Sequence, residues 1–184
     1  MEKRVLILTG APGVGKTTVL EKTVSVLKNR GITVGGMISR EVRENGIRVG
    51  FQVLDVASGK RGWLARANLK TGPQVGNYRV NLGDLDAVGA QAICDALEVA
   101  DVVAIDEIGP MELFSARFKA ATAKTLDSAK LVIAVVHVKA QDRMVIQAKG
   151  RMDAEVFTVT EENRESLPEA LAAKALDFLG RTPS

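Results

Sequence analysis

Nine consecutive residues, Gly10, Ala11, Pro12, Gly13, Val14, Gly15, Lys16, Thr17 and Thr18, carry the spacing G-x-x-x-x-G-K-[ST] directly after the apolar run Val5 to Leu8. The chemistry that needs this spacing is the capture of phosphate oxygens by backbone amides converging at the N-terminus of a helix. Gly13 and Gly15 let the chain curl round a β-phosphate with no Cβ in the way. Lys16 is a compact charge that bridges β- and γ-phosphate oxygens, and Thr17 offers a hydroxyl to Mg²⁺. The stretch is expected to hold a nucleoside triphosphate.

A second apolar run, Val102, Val103, Ala104 and Ile105, ends in the adjacent carboxylates Asp106 and Glu107, followed by Ile108 and Gly109. Ligands of open α/β sheets sit at the carboxyl ends of strands. Asp106 fits the acid that holds Mg²⁺ through its water shell. Glu107 points to the opposite side of the strand if pairing stays regular, or turns toward the loop if the strand ends there. In the second case it reaches a water beside the γ-phosphate and acts as a general base; the alternative is a solvated strand-end acid. A further strand between the loop strand and the Asp106 strand would favour the water-activating role, and direct adjacency would weaken it.

These residues must be positioned by elements legible in the periodicity. A strand near residues 3–8 leads into a helix near 16–30, whose Leu20, Thr23, Val24 and Leu27 recur on one face and which stops at Gly31. Val34 to Val42, Ile47 to Val56 and Arg61 to Ala65 are separated by the turns at Glu44-Asn45-Gly46 and Ala57-Ser58-Gly59 and predict a β-meander over about residues 32–66. A glycine-rich loop or short edge strand covers Asn68 to Arg79, and a helix near 84–99 takes Asp84 as its cap. After the Asp106 strand come a helix near 112–126, a strand at Leu131 to Val136, a helix near 139–149, a strand near Glu155 to Val159 and a helix near 165–179. In the last helix Ser166 and Glu169 have capping-box spacing, with Pro168 in the first turn. The fold class is α/β: three α/β/α layers with a mainly parallel central sheet, right-handed crossovers and the meander as an antiparallel extension.

Composition narrows the classes. With 184 residues, 46% hydrophobic and 26% charged, the chain is sized for one domain spanning residues 1–184. No stretch reaches the apolar length of a membrane span, and Met1 to Arg4 pass into a strand without a signal-peptide core, so a cytoplasmic protein is expected. The one cysteine, Cys94, falls in the helical pattern Leu85, Val88, Ala92, Ile93, Leu97 and reads as core packing. The net charge of +3 comes from 25 basic against 22 acidic residues spread along the chain, with five Phe, one Tyr and one Trp for stacking. That balance neither requires nor excludes nucleic acid and fits attraction toward a polyanionic substrate. A monomer is expected.

Other residues have two readings each. His137 follows the Leu131 to Val136 strand and either senses the γ-phosphate or sits on the surface with no role. Asn163 and Arg164 follow the Val159 strand, where a base or ribose lies, Arg164 stacking through its flat guanidinium; the alternative is a helix-capping turn with a solvated arginine. Arg40, Arg117, Arg143 and Arg151 are all candidate stabilisers of transition-state charge, and the sequence does not choose among them. Trp63 reads as a meander core residue, and Tyr78 as a ligand-stacking or packing ring.

The chain resembles the small nucleoside-triphosphatases first described from thermophiles, a family related to the vertebrate cancer-related nucleoside-triphosphatase. The resemblance rests on Gly10 to Thr18, on Val75-Gly76-Asn77-Tyr78-Arg79-Val80, on the run from Ile105 through Glu112 to Ser115, and on Thr160 to Arg164, and it covers nearly the whole chain. It implies slow, Mg²⁺-dependent hydrolysis of nucleoside triphosphates to diphosphate and phosphate, with broad tolerance of the base. Similar proteins often carry lysine where this chain has Pro110. A kinase acting on a nucleotide or small molecule uses the same loop, but no compact arginine-rich lid stands out between the Asp106 and Leu131 strands. The remaining alternative is a nucleotide-dependent switch that binds a protein or RNA partner.

Overall fold

In the computed structural model, which describes residues 2–139 and 141–180, the elements follow one another as the periodicity suggests. β1 (Val5–Thr9) leads into α1 (Lys16–Asn29), and then β2 (Val34–Glu44), β3 (Ile47–Asp55) and β4 (Arg61–Arg66) form the meander. Two short strands, β5 (Gln74–Val75) and β6 (Tyr78–Val80), precede a helical stretch built from α2 (Leu82–Asp84), a π-helical segment (Leu85–Ala90) and α3 (Gln91–Val99). β7 (Val102–Ile108), a 3₁₀ turn (Glu112–Phe114), α4 (Ala116–Asp127), β8 (Leu131–Val136), α5 (Arg143–Lys149), β9 (Ala154–Thr158) and α6 (Leu167–Phe178) complete the order.

The strands form one nine-stranded sheet in the order β5-β6-β4-β3-β2-β7-β8-β1-β9. From β2 to β9 all neighbours run parallel, whereas β3, β4, β6 and β5 add on antiparallel. The central strands β1 and β8 are apolar without alternation because both their faces are covered, as parallel strands require. Their side chains divide by strand parity into two cores. Val5, Ile7, Val103, Ile105, Val132 and Ala134 meet Ile93, Phe118 and Val145 on one face. Leu6, Leu8, Val102, Ala104, Ile133 and Val135 meet Leu20, Leu27, Leu171 and Leu176 on the other. The result is three layers, α/β/α, around a mixed sheet.

Several helix ends differ from the sequence reading. Asn81, not Asp84, caps the helix near residue 84, its side-chain oxygen accepting from the Asp84 N–H at 3.1 Å. Asp84 instead accepts the Trp63 N–H at 2.7 Å and ties the helix to the meander. The helix expected near 112 begins at Ala116, because Ser115 caps it by accepting the Phe118 N–H at 2.9 Å. The helix expected near 139 begins at Arg143 behind its cap Asp142; Ala140 lies outside the described residues. No capping box forms at Ser166, whose hydroxyl donates to the Asn163 carbonyl at 3.2 Å. Trp63 is half-buried beneath the Arg66 guanidinium, 4.4 Å from the ring centroid, and the meander core is made by Val53, Leu64 and Ala65. Cys94 packs partly buried against the core, as expected.

Candidate active site

The loop between β1 and α1 adopts an anion-cradling shape. Gly13 and Gly15 have φ of 76° and 109°, a region closed to most side chains, and Gly15 turns directly into the first residue of α1. The free N–H groups of the first helical turn therefore face the loop's hollow. The Lys16 ammonium reaches back across it, donating to the carbonyls of Gly10 at 3.1 Å and Ala11 at 3.0 Å. Pro12 joins the lining, whereas Val14 packs partly buried on the core and Thr18 is exposed.

The acidic pair lies opposite. The Thr17 hydroxyl donates to Asp106 Oδ2 at 2.8 Å, so the loop and the end of β7 touch directly. Asp106 is 1% exposed, and its other oxygen, Oδ1, has no hydrogen-bond partner. Burial pushes its carboxyl up to about 7, against the Thr17 hydrogen bond and with the Glu107 charge adding to the rise. An orphaned buried carboxylate oxygen beside a threonine hydroxyl is a pair of oxygen donors suited to Mg²⁺. Among the described residues no group of three or more His, Cys, Asp or Glu side chains could hold a metal, so further ligands would come from water or phosphate.

Glu107 faces the same cleft as Lys16 and Thr17. Pairing between β7 and β8 shifts register between Ile105 and Ile108, which interrupts the strict alternation that would send neighbouring side chains to opposite faces. β8 separates β7 from β1, the arrangement that favours a glutamate-activated water. Burial raises the Glu107 carboxyl above the usual range, while His137 and Lys16 pull it the other way. Val102, Val103, Ala104 and Ile105 are fully buried strand core, and Ile108 is buried beyond them; they position the acids without reaching the cleft. A Cβ on Gly109 would sit 2.8 Å from Glu107 Oε1, so the bare glycine leaves that carboxylate its room.

Around this centre the structure sorts the remaining candidates. His137 lines the cleft, its Nδ1 accepting from the Lys139 N–H at 3.2 Å. Arg40 also lines it and pairs with Glu21 at 2.6 Å. Arg117 instead bonds to the Asp86 carbonyl and Gln91, Arg151 to Asp127 and Asp153, and Arg143 opens α5 as an exposed residue; none of the three lines the cleft. Arg164 donates to the Val14 carbonyl at 3.3 Å and braces the outer flank of the phosphate loop. Asn163 shapes the turn that carries it, accepting the Thr160 N–H and donating to the Thr158 carbonyl, each at 2.9 Å.

Sequence reasoning missed two contributions. The meander supplies a wall of the cleft through Ser39, Glu41, Arg48 and Phe51, and the cleft measures about 570 Å³. Tyr78 packs edge-on against Phe51 with centroids 5.3 Å apart, which makes it a support of that wall. A third acid, Glu112, is 5% exposed behind the pair, and its carboxyl is raised well above the usual range by burial and by Glu107. Glu112 stood inside the recognised motif, but no spacing rule assigns a buried acid to that position.

A family model described as NTPase matches residues 5–172. Proteins named Nucleoside-triphosphatase THEP1 align over nearly the whole chain: that of Thermofilum pendens is 45% identical across 98% of this chain and 100% of its own, and that of Methanosarcina acetivorans is 43% identical across 95% and 98%. The THEP1 crystal structure from Aquifex aeolicus superposes with a TM-score of 0.80 at 27% identity, covering 91% of this chain and 96% of that one. The solution structure of a human cancer-related nucleoside triphosphatase gives 0.77 at 36%, covering 92% and 96%. With the phosphate loop, the buried Asp106 beside the cleft-lining Glu107, and the intervening strand in place, the chain belongs to the NTPase family of nucleoside-triphosphatases.

Proposed function

We propose that the protein hydrolyses nucleoside triphosphates to diphosphate and phosphate, slowly, with Mg²⁺ and with broad tolerance of the base. The observation that carries this reading is the shared cleft of Lys16, Thr17 and Glu107, with Asp106 bonded to Thr17 at its floor. The loop amides and Lys16 take the β- and γ-phosphates, the lysine exchanging the carbonyls of Gly10 and Ala11 for phosphate oxygens. Thr17 and Asp106 would hold Mg²⁺, which when bound neutralises phosphate charge. Glu107 accepts a proton from water as the water oxygen bonds to the γ-phosphorus and the bridge to the β-phosphate breaks. A carboxylate raised by burial is a better base than an exposed one, and at neutral pH that basicity is useful.

Base tolerance follows from what the flank offers. The Asn163 amide is spent on Thr160 and Thr158, and Arg164 presents a flat guanidinium that stacks on any base. The free nucleotide is the partner, and a cytoplasmic monomer is the simplest setting for it. The test is phosphate release from ATP, GTP, CTP and UTP with Mg²⁺ and no added acceptor. Release from all of them at similar rates is expected, and release that requires an added hydroxyl acceptor would point to a kinase instead. In Lys16→Ala, triphosphate binding should weaken markedly; unchanged affinity would refute the cradle.

A further inference from the structure

The cleft is walled by two arginines, Arg40 and Arg48, and their partners differ in a way that distinguishes them. Arg40 has one carboxylate, Glu21, at 2.6 Å. If Arg40 moved to a phosphate, Glu21, which also lines the cleft, would face the triphosphate uncompensated. Arg48 is bound to Glu41 at 2.5 Å, but Glu41 holds a second guanidinium, that of Arg43. Arg43 and Arg48 are cross-strand partners in the β2–β3 hairpin, so two like charges are brought together by register and Glu41 bridges them. Glu41 has one negative charge and two cations, and it stays neutralised when one of them leaves. Arg48 also lies over Phe51, 5.5 Å from the ring centroid, and that ring is braced by Tyr78. Phe51 carries the guanidinium's flat face, while its N–H groups are held by Glu41 and by the Tyr78 hydroxyl, partners that a phosphate would have to replace.

We propose that Arg48 is the catalytic arginine supplied in cis: it leaves Glu41 for the γ-phosphate as charge builds on the transferring phosphoryl group, while Arg43 keeps Glu41 neutralised. It rests on the hydrolytic reading and adds to it the group that stabilises the transition state. The pairing with Glu41 also fits slow turnover, because the arginine must exchange a carboxylate for the phosphate in every cycle.

The experiment compares Arg48→Ala, Arg48→Lys and Arg40→Ala with the wild type by single-turnover phosphate release, by calorimetric affinity for a non-hydrolysable triphosphate, and by thermal melting of the unliganded proteins. Arg48→Ala should lose about 100-fold or more in rate. Its affinity for the analogue should fall by less than about 3-fold, the mark of an interaction made mainly in the transition state. Arg48→Lys, which keeps the charge against Glu41 and hence the hairpin, should remain slow because an ammonium cannot present a planar fork. Guanidinium ion added to Arg48→Ala should restore part of the rate, which no purely structural role predicts. Arg40→Ala should lose at least about 10-fold less rate than Arg48→Ala, and guanidinium should restore none of what it loses. A near-wild-type rate in Arg48→Ala, a loss equalled by Arg40→Ala, or a loss that guanidinium leaves untouched would overturn the assignment. Failure of the wild type to release phosphate would instead overturn the hydrolytic reading, so the two failures are distinguishable.

Discussion

Two aspartates at opposite ends of the same sheet have had opposite things done to them. Asp153, just before β9, is bound by Arg4 at 2.8 Å and by Arg151 at 2.9 Å, and Arg151 reaches on to Asp127 at 2.9 Å. The hydrogen bond from Arg151 holds the Asp153 carboxyl below its usual range. Asp106, at the end of β7, has the Thr17 hydroxyl and the Ser39 backbone N–H beside it but no cation, its Oδ1 makes no full hydrogen bond, and burial pushes its carboxyl up to about 7. One carboxylate has cations built in; the other is kept short of them, with the charges of Glu107 and Glu21 deepening the deficit. The first arrangement fastens β9 to the chain entering β1. The second leaves a buried negative site that a metal-bound triphosphate can satisfy, at a cost to the unliganded protein.

That contrast can be broken most severely at Asp106. Asp106→Asn should reduce phosphate release to background, and removal of divalent metal by a chelator should do the same to the wild type, both followed by a phosphate assay. The unliganded proteins should behave in the opposite sense. Because the folded pKa of Asp106 lies above the unfolded value, its contribution to stability is fully present below about pH 4 and is lost as pH rises through about 7, a span worth on the order of 4 kcal/mol. At pH 8 the inactive Asp106→Asn protein should therefore melt at least about 4 °C above the wild type without nucleotide. A lower melting temperature would show that the acid is not a burden on the empty fold.

Arg151→Ala should do the reverse, destabilising the protein by about 1–2 kcal/mol while leaving turnover unchanged, since the pair is partly exposed and solvent screens it. Chemical denaturation and the phosphate assay read the two effects separately. The smallest effect expected is on the acid side. The Asp153 pKa is lowered on folding, so its stabilisation is present above about pH 4 and is lost as pH falls through the folded value. Asp153→Asn should flatten that acid limb of a melting-temperature profile.

The residues at the centre of the site were legible because they obey local rules. The loop spacing forces a turn into a helix N-terminus, and an apolar run ending in acids reads as a strand reaching the ligand edge. Strand order was not legible: Val5 to Leu8, Val102 to Ile105 and Leu131 to Val136 are equally apolar, and nothing local says that β8 lies between the other two. The cleft wall was missed for a related reason. Arg48 and Phe51 sit on a hairpin whose turn was recognised, but only the placement of β2 beside β7 brings that hairpin over the loop. Helix caps failed where two polar residues competed within a turn, as with Asn81 and Asp84, and the winner was set by the meander, which claims the Asp84 carboxylate.

The most direct test of the account is single-turnover phosphate release by wild type and Glu107→Gln, with nucleotide affinity measured on the same preparations. The substitution keeps the side chain's size and removes its basicity. Loss of about 100-fold or more in rate at unchanged affinity is the predicted result. Wild-type release at wild-type affinity would contradict it, and would mean that the acid beside the phosphate loop does not take the proton from water.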